Sequence, residues 1–168
     1  MAPPASRPPR WPYAIALAGL ILDQWTKHFF LSEYEMGETR TVIPGFFNFH
    51  LTTNTGAAFS LFRDHPQWLT LFSIVVFGLM VVFRDHLFTR RGIEQTAFGL
   101  IAGGVIGNLM DRMRHGHVID FIHWHVGEYD WPVFNIADSC ICIGVGLYML
   151  SAVRPQAEPT PTPDPESP

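Results

Sequence analysis

Cysteine is nearly absent: Cys140 and Cys142 are the only two in 168 residues, too few for a disulfide scaffold. Charge is scarce too, at 15% of the chain against the roughly 25% of an ordinary soluble domain. A basic excess is missing, since 11 Lys and Arg stand against 15 Asp and Glu. That excludes a basic nucleic-acid binder. No glycine-rich phosphate loop leads into Lys-Ser/Thr, and Ser60, Ser73 and Ser139 have no Gly-x-Ser-x-Gly setting. What the chain has in quantity is apolar residues, 48% of the total, so a disordered chain is excluded as well. The mean hydropathy of +0.15 is modest. It is diluted by two ends, residues 1–12 and 155–168, which hold 11 of the 14 prolines.

The apolar residues gather in four stretches: Pro12–Leu31, Trp68–Phe83, Gln95–Met110 and Val133–Val153. The second and third carry no charge, and the fourth carries only Asp138. A bilayer core needs roughly 20 apolar helical residues, fewer with tilt or thinning. Four such stretches in so short a chain, with little amphipathic helix between them, predict four transmembrane helices. The first stretch is too poor in small residues after Leu22 to be a cleaved signal peptide. Six arginines on the side of the termini, against four on the other with Lys27 at a helix end, orient both termini toward the cytoplasm. The long segments 32–65 and about 112–132 then face outward. In the first of them, β-branched and aromatic runs broken by Pro44-Gly45 read as short strands or a hairpin. The expected architecture is an all-α membrane protein of four transmembrane helices, with a small β-containing extracytoplasmic segment between the first and second. Its membrane domain runs over 12–153, flanked by disordered Pro-rich tails at 1–11 and 154–168.

Ionisable groups inside apolar spans are costly, so each needs a partner or a task. Asp23 and Lys27 are four apart on one helical face, either a structural ion pair or a substrate-orienting one. Gly99, Gly103 and Gly107 repeat every four residues, a pattern for close helix approach. Asn108 and Asp111 share a face at the outer end of the third stretch, and Arg112 beside Asp111 marks a helix-end anchor. Asp120, between apolar neighbours, could cap a turn. Asp138, one turn after Asn135, has no basic neighbour in sequence and resists any structural explanation. A second carboxylate meeting Asp138 would share one proton with it, and either Asp111 or Asp120 fits that role. Such a pair deprotonates a water with one member and protonates a leaving nitrogen with the other, without a metal, cofactor or nucleophilic side chain. His115, His117, His123 and His125 show His-x-His spacing, but i,i+2 residues do not share a helix face. They read as surface histidines. A small four-span transporter or proton channel, using Asp23, Lys27, Asp111 and Asp138 as a relay, is the alternative reading.

Five blocks, taken together, resemble the lipoprotein signal peptidase (signal peptidase II) family. They are Asp23-Gln-Trp-Thr-Lys27, Asn54-Thr-Gly56-Ala-Ala-Phe59-Ser60, Gly103-Gly-Val-Ile-Gly-Asn108-Leu-Met-Asp111-Arg112, Val118-Ile-Asp120-Phe121 and Phe134-Asn135-Ile-Ala137-Asp138. They stand in the family's order and spacing over residues 12–153. The resemblance implies an intramembrane aspartic peptidase of the bacterial cytoplasmic membrane with its active site near the periplasmic face. Its substrates would be prolipoproteins carrying a diacylglyceryl-cysteine in the lipobox. Its partners would be membrane lipids and no nucleic acid, and it would act as a monomer without metal or cofactor. It also implies that the catalytic pair is Asp120 and Asp138. Asp23, Lys27, Asn54, Gly56, Asn108, Asp111, Arg112, Asn135 and Ala137 would line or support the site, with Asn54 and Asn108 holding the substrate backbone.

Overall fold

A computed structural model describes residues 9–56, 66–88 and 92–153. Residues 1–8 of the tail expected at 1–11, the whole tail expected at 154–168, residues 57–60 of the second block, and Arg90 and Arg91 lie outside the described residues. Trp11, the last residue of the expected first tail, is already helical. The described residues form five helices: α1 (Trp11–Glu33), α2 (Pro66–Val82), the single turn α3 (Arg84–Leu87), α4 (Ile93–His115) and α5 (Ile136–Val153). Strands β1 (Thr39–Ile43), β2 (Phe47–Asn54), β3 (Val118–Val126) and β4 (Tyr129–Asp130) make one antiparallel sheet in the order β1-β2-β3-β4. The four apolar stretches are thus helical over nearly their whole length. α5 is long and apolar enough to cross a membrane by length and composition, with a mean hydropathy of 1.8, while the apolar helix at Gln67–Val82 is shorter. α1 and α4 reach 23 residues each but carry charged side chains.

Local chemistry sets the helix ends. Pro12 stands in the first turn of α1, where its missing N–H costs nothing. Gly116 ends α4 in the left-handed conformation at φ 76°, its N–H donated to the Arg112 carbonyl. α4 is the central helix and packs against both α1 and α5. The glycine repeat makes this possible. A Cβ at Gly99 or Gly103 would stand 2.5 Å from the carbonyl oxygens of Pro12 and Ala16 on α1. A Cβ at Gly104 would strike the Ala137 carbonyl on α5. The buried core at the end of the bundle beside α3 is Met80, Phe88, Ala97, Phe98 and Ala102. There Arg84 lies over the rings of Tyr13 and Phe98 and donates to Gln95 Oε1 at 3.0 Å, fastening α3 to α4. Large apolar side chains are turned outward on α1 (Leu17, Ile21), α2 (Phe72, Val82) and α5 (Met149, Val153).

The sheet departs from expectation in one respect. It is not confined to the segment between the first two long helices, because β3 and β4 come from the connection after α4. The β1–β2 hairpin turns at Pro44-Gly45 as anticipated, with Gly45 at φ 78°. β3 then pairs antiparallel with β2, with a register irregularity between Phe49 and Thr52 that sets Asp120 opposite Thr52. A second buried cluster, Phe30, Leu51, Ile119 and Phe121, ties this sheet to the C-terminal end of α1. Phe30 and Phe121 stack with centroids 4.2 Å apart. Asp120, next to Phe121, is carried on a strand anchored to the bundle rather than on a free loop.

Candidate active site

Every side chain in the site has its orientation fixed by a neighbour, beginning at α5. Asn135 precedes the first helical residue and accepts the Asp138 N–H on Oδ1 at 2.9 Å. Asp138 Oδ2 in turn accepts the Asn135 N–H at 3.2 Å. This reciprocal pair is a capping box, which explains locally why an Asn and an Asp stand three apart where an apolar span begins. Asp138 Oδ1 accepts a second bond, from Asn108 Nδ2 at 2.7 Å.

Asp120 is 1% exposed and accepts Asn135 Nδ2 on Oδ1 at 2.7 Å and Asn54 Nδ2 on Oδ2 at 3.0 Å. The Asn54 amide cannot turn over without loss, because its Oδ1 takes the Gly56 N–H at 3.0 Å. Asn135 therefore bonds to both aspartates, through its side-chain amide to Asp120 and through its backbone and Oδ1 to Asp138. Burial, and after it the Asp138 carboxylate, pushes the Asp120 carboxyl up to about 7. Two carboxyl groups joined through one asparagine, one of them titrating near neutrality, can hold one proton between them and exchange it with a water.

Behind the pair lies a buried ionic knot. Lys27, 2% exposed, donates to Asp23 Oδ2 at 2.9 Å, to Asp111 Oδ2 at 2.8 Å and to Asn108 Oδ1 at 3.0 Å. The last contact faces the Asn108 amide nitrogen toward Asp138. Asp23 Oδ1 accepts the Ala137 N–H at 2.9 Å, and Asp111 Oδ2 accepts the Ile119 N–H at 3.3 Å. The knot thus grips the residue immediately before each of Asp120 and Asp138. A lone buried charge here would be costly, and breaking such a set leaves one behind. Ala137 contributes a backbone N–H and a small side chain that fits beside α4. The Arg112 guanidinium, half-buried, lies within the field of Asp138, Asp120 and Asp111. It also lines an open groove of about 420 Å³ with Leu71 and Ile74 of α2.

All the residues singled out in the five blocks and described here fall in or beside this cluster. Asn54 and Asn108, expected to hold the substrate backbone, each give an amide N–H to an aspartate, Asn54 to Asp120 and Asn108 to Asp138. Gln24 and Gly107 were not singled out as site residues. Gln24 donates to Asp23, Asp111 and the Gly107 carbonyl, and a Cβ at Gly107 would stand 2.5 Å from Asp23 Oδ2. The available signal was a glutamine adjoining Asp23 within one turn of Lys27, in the middle of an apolar stretch. The histidines lie apart. His123 and His125 are on β3, where i,i+2 residues do share a face, and His123 Nε2 is 3.4 Å from Asp130 Oδ1. Among the described residues, no three His, Cys, Asp or Glu side chains gather as a metal-ligand set.

The chain matches the model of the family described as Signal peptidase (SPase) II over residues 15–154. A lipoprotein signal peptidase of Chromobacterium violaceum is 41% identical over 150 residues, spanning 87% of this chain and 92% of its own. One from Xanthomonas campestris pv. campestris is 44% identical over 138 residues, spanning 77% and 81%. A solved bacterial membrane enzyme at 32% identity superimposes with a TM-score of 0.76, covering 85% of this chain and 87% of its own. By the extent of the family match and the identity to these relatives, the chain belongs to the signal peptidase II family and is a peptidase.

Proposed function

We propose that this peptidase removes the signal peptide from diacylglyceryl-modified prolipoproteins, cutting before the lipid-bearing cysteine, with Asp120 and Asp138 as its catalytic pair. The observation that carries the assignment is the shared Asn135, which bonds to both carboxyl groups. The pair holds a water between its members. Asp120, protonated near neutral pH, donates a hydrogen bond to the scissile carbonyl oxygen. Asp138 takes a proton from the water as its oxygen attacks the carbonyl carbon. The tetrahedral intermediate then collapses, the C–N bond breaks, and Asp138 returns that proton to the departing cysteine amine. The signal peptide leaves with a free carboxylate. The products are balanced by one water consumed.

The surrounding architecture suits a substrate held in a bilayer. In this reading α1, α2, α4 and α5 cross the bacterial cytoplasmic membrane as residues 12–153 of a single, monomeric chain. Both termini face the cytoplasm, and the sheet and catalytic pair sit at the periplasmic boundary. The outward apolar side chains of α1, α2 and α5 support it, being in numbers that water would penalise. α4 needs no apolar exterior on the faces that its neighbours cover. The diacylglyceryl chains lie among lipids beside the spans, so the lipid supplies binding energy that an unmodified precursor lacks. Cleavage of a diacylglyceryl-modified precursor and its unmodified counterpart, measured side by side with the purified enzyme, tests this. The modified precursor should be turned over far faster; equal rates would remove the lipid from recognition.

A further inference from the structure

Gln24 lies on α1 between the two ends of the Asp23–Lys27 pair, and its side chain is aligned at both ends. Its Oε1 accepts Arg114 Nη1 at 3.2 Å, which turns Nε2 inward. Nε2 then donates to Asp111 Oδ1 at 3.0 Å, to Asp23 Oδ2 at 3.2 Å and to the Gly107 carbonyl at 3.3 Å. Asp23 and Asp111 are two carboxylates around one ammonium, and the Gln24 amide is the neutral donor that bridges them. It completes Asp111, whose other oxygen serves Lys27 and the Ile119 N–H. Lys27 in turn sets the Asn108 amide, and Asn108 sets Asp138.

We propose that Gln24 is a positioning residue of this active site: by bridging Asp23 and Asp111 it holds Lys27 against Asn108, and so aims the Asp138 carboxylate. The inference rests on the reading of Asp120 and Asp138 as the catalytic pair. Gln24 itself touches neither aspartate of that pair. The charged groups around it are Asp23 and Lys27 on its own helix and Asp111 and Arg114 on α4.

Two near-isosteric variants of the full chain test it. Gln24→Met keeps the bulk and removes the donors, so kcat on a diacylglyceryl-modified precursor should fall on the order of 10-fold or more with KM little changed. Its rate relative to wild type should not vary with pH. Gln24→Glu places a third carboxylate beside Asp23 and Asp111 when ionised, and supplies an O–H donor to Asp111 Oδ1 when protonated. Its rate relative to wild type should therefore climb as pH falls, and lowering pH should partly rescue it. Taking the ratio removes the pH dependence that both proteins share through the catalytic pair. A role in packing alone would not produce this acid rescue. Wild-type kcat and KM in Gln24→Met, or a Gln24→Glu ratio that stays flat with pH, would overturn the proposal. If Gln24→Met does not fold, the Gln24→Glu ratio decides; accumulation of neither variant would make Gln24 a folding residue and also overturn it. Asp138→Asn assayed beside them separates the two levels of the argument. Turnover by well-folded Asp138→Asn sinks the catalytic pair itself, whereas an inactive Asp138→Asn together with a wild-type Gln24→Met sinks only the role of Gln24.

Discussion

Asp120 keeps its proton near neutral pH because burial penalises its charge and Asp138 adds a like charge, while ordinary aspartates release theirs near 4. The folded protein therefore holds a proton that the unfolded chain has lost over the window from about 4 to about 7. Stability must fall as pH rises through that window. Asp120→Asn has no proton to lose. In detergent melts it should unfold at a higher temperature than wild type at pH 8, with the gap closing toward pH 4. A gap that widened on acidification would contradict the assigned titration. Residue by residue, legibility followed isolation. Asp138 stood out in sequence as a lone acid in an apolar run. Its partner stayed open between Asp111 and Asp120, because only pairing between distant segments sends Asp111 to Lys27 and Asp120 to Asn135. Gln24 was overlooked because a neutral glutamine beside Asp23 carries no charge to explain.

At the scale of elements, α4 works as a spacer whose thickness matters. Gly103→Ala would drive a methyl group toward the Ala16 backbone carbonyl, and Gly107→Ala would drive one into Asp23 Oδ2. Overpacking of this kind costs about 1–3 kcal/mol. Both variants should melt earlier than wild type. Gly107→Ala should lose more activity than Gly103→Ala, since it displaces a carboxylate that holds the Ala137 N–H. Gly78→Ala on α2 is the control. A Cβ there meets nothing within 4 Å, and replacing a helical glycine gains up to about 1 kcal/mol. Equal losses at all three glycines would refute the close-approach argument. The helices were legible because each apolar stretch is local. The sheet was legible only in part: Pro44-Gly45 announced one hairpin, but the pairing of β2 with β3 joins residues some 70 apart and leaves no local pattern. For the same reason His123 and His125 were weighed by helical spacing although β3 puts them on one face of a strand.

Labelling tests the proposed topology of four membrane crossings with the catalytic pair at the outer boundary. In a chain whose Cys140 and Cys142 are replaced by alanine, Glu128→Cys in the β3–β4 turn should react with a membrane-impermeant maleimide on intact spheroplasts. Asp85→Cys on α3 should react only after permeabilisation. The reverse pattern would invert the orientation. The most direct measurement of the central claim is single-turnover cleavage of a diacylglyceryl-modified precursor by purified wild type, Asp120→Asn and Asp138→Asn, each confirmed as folded by its melt. Both variants should leave the precursor uncut over times in which wild type consumes it. Substantial cleavage by either folded variant would show that Asp120 and Asp138 are not the catalytic pair.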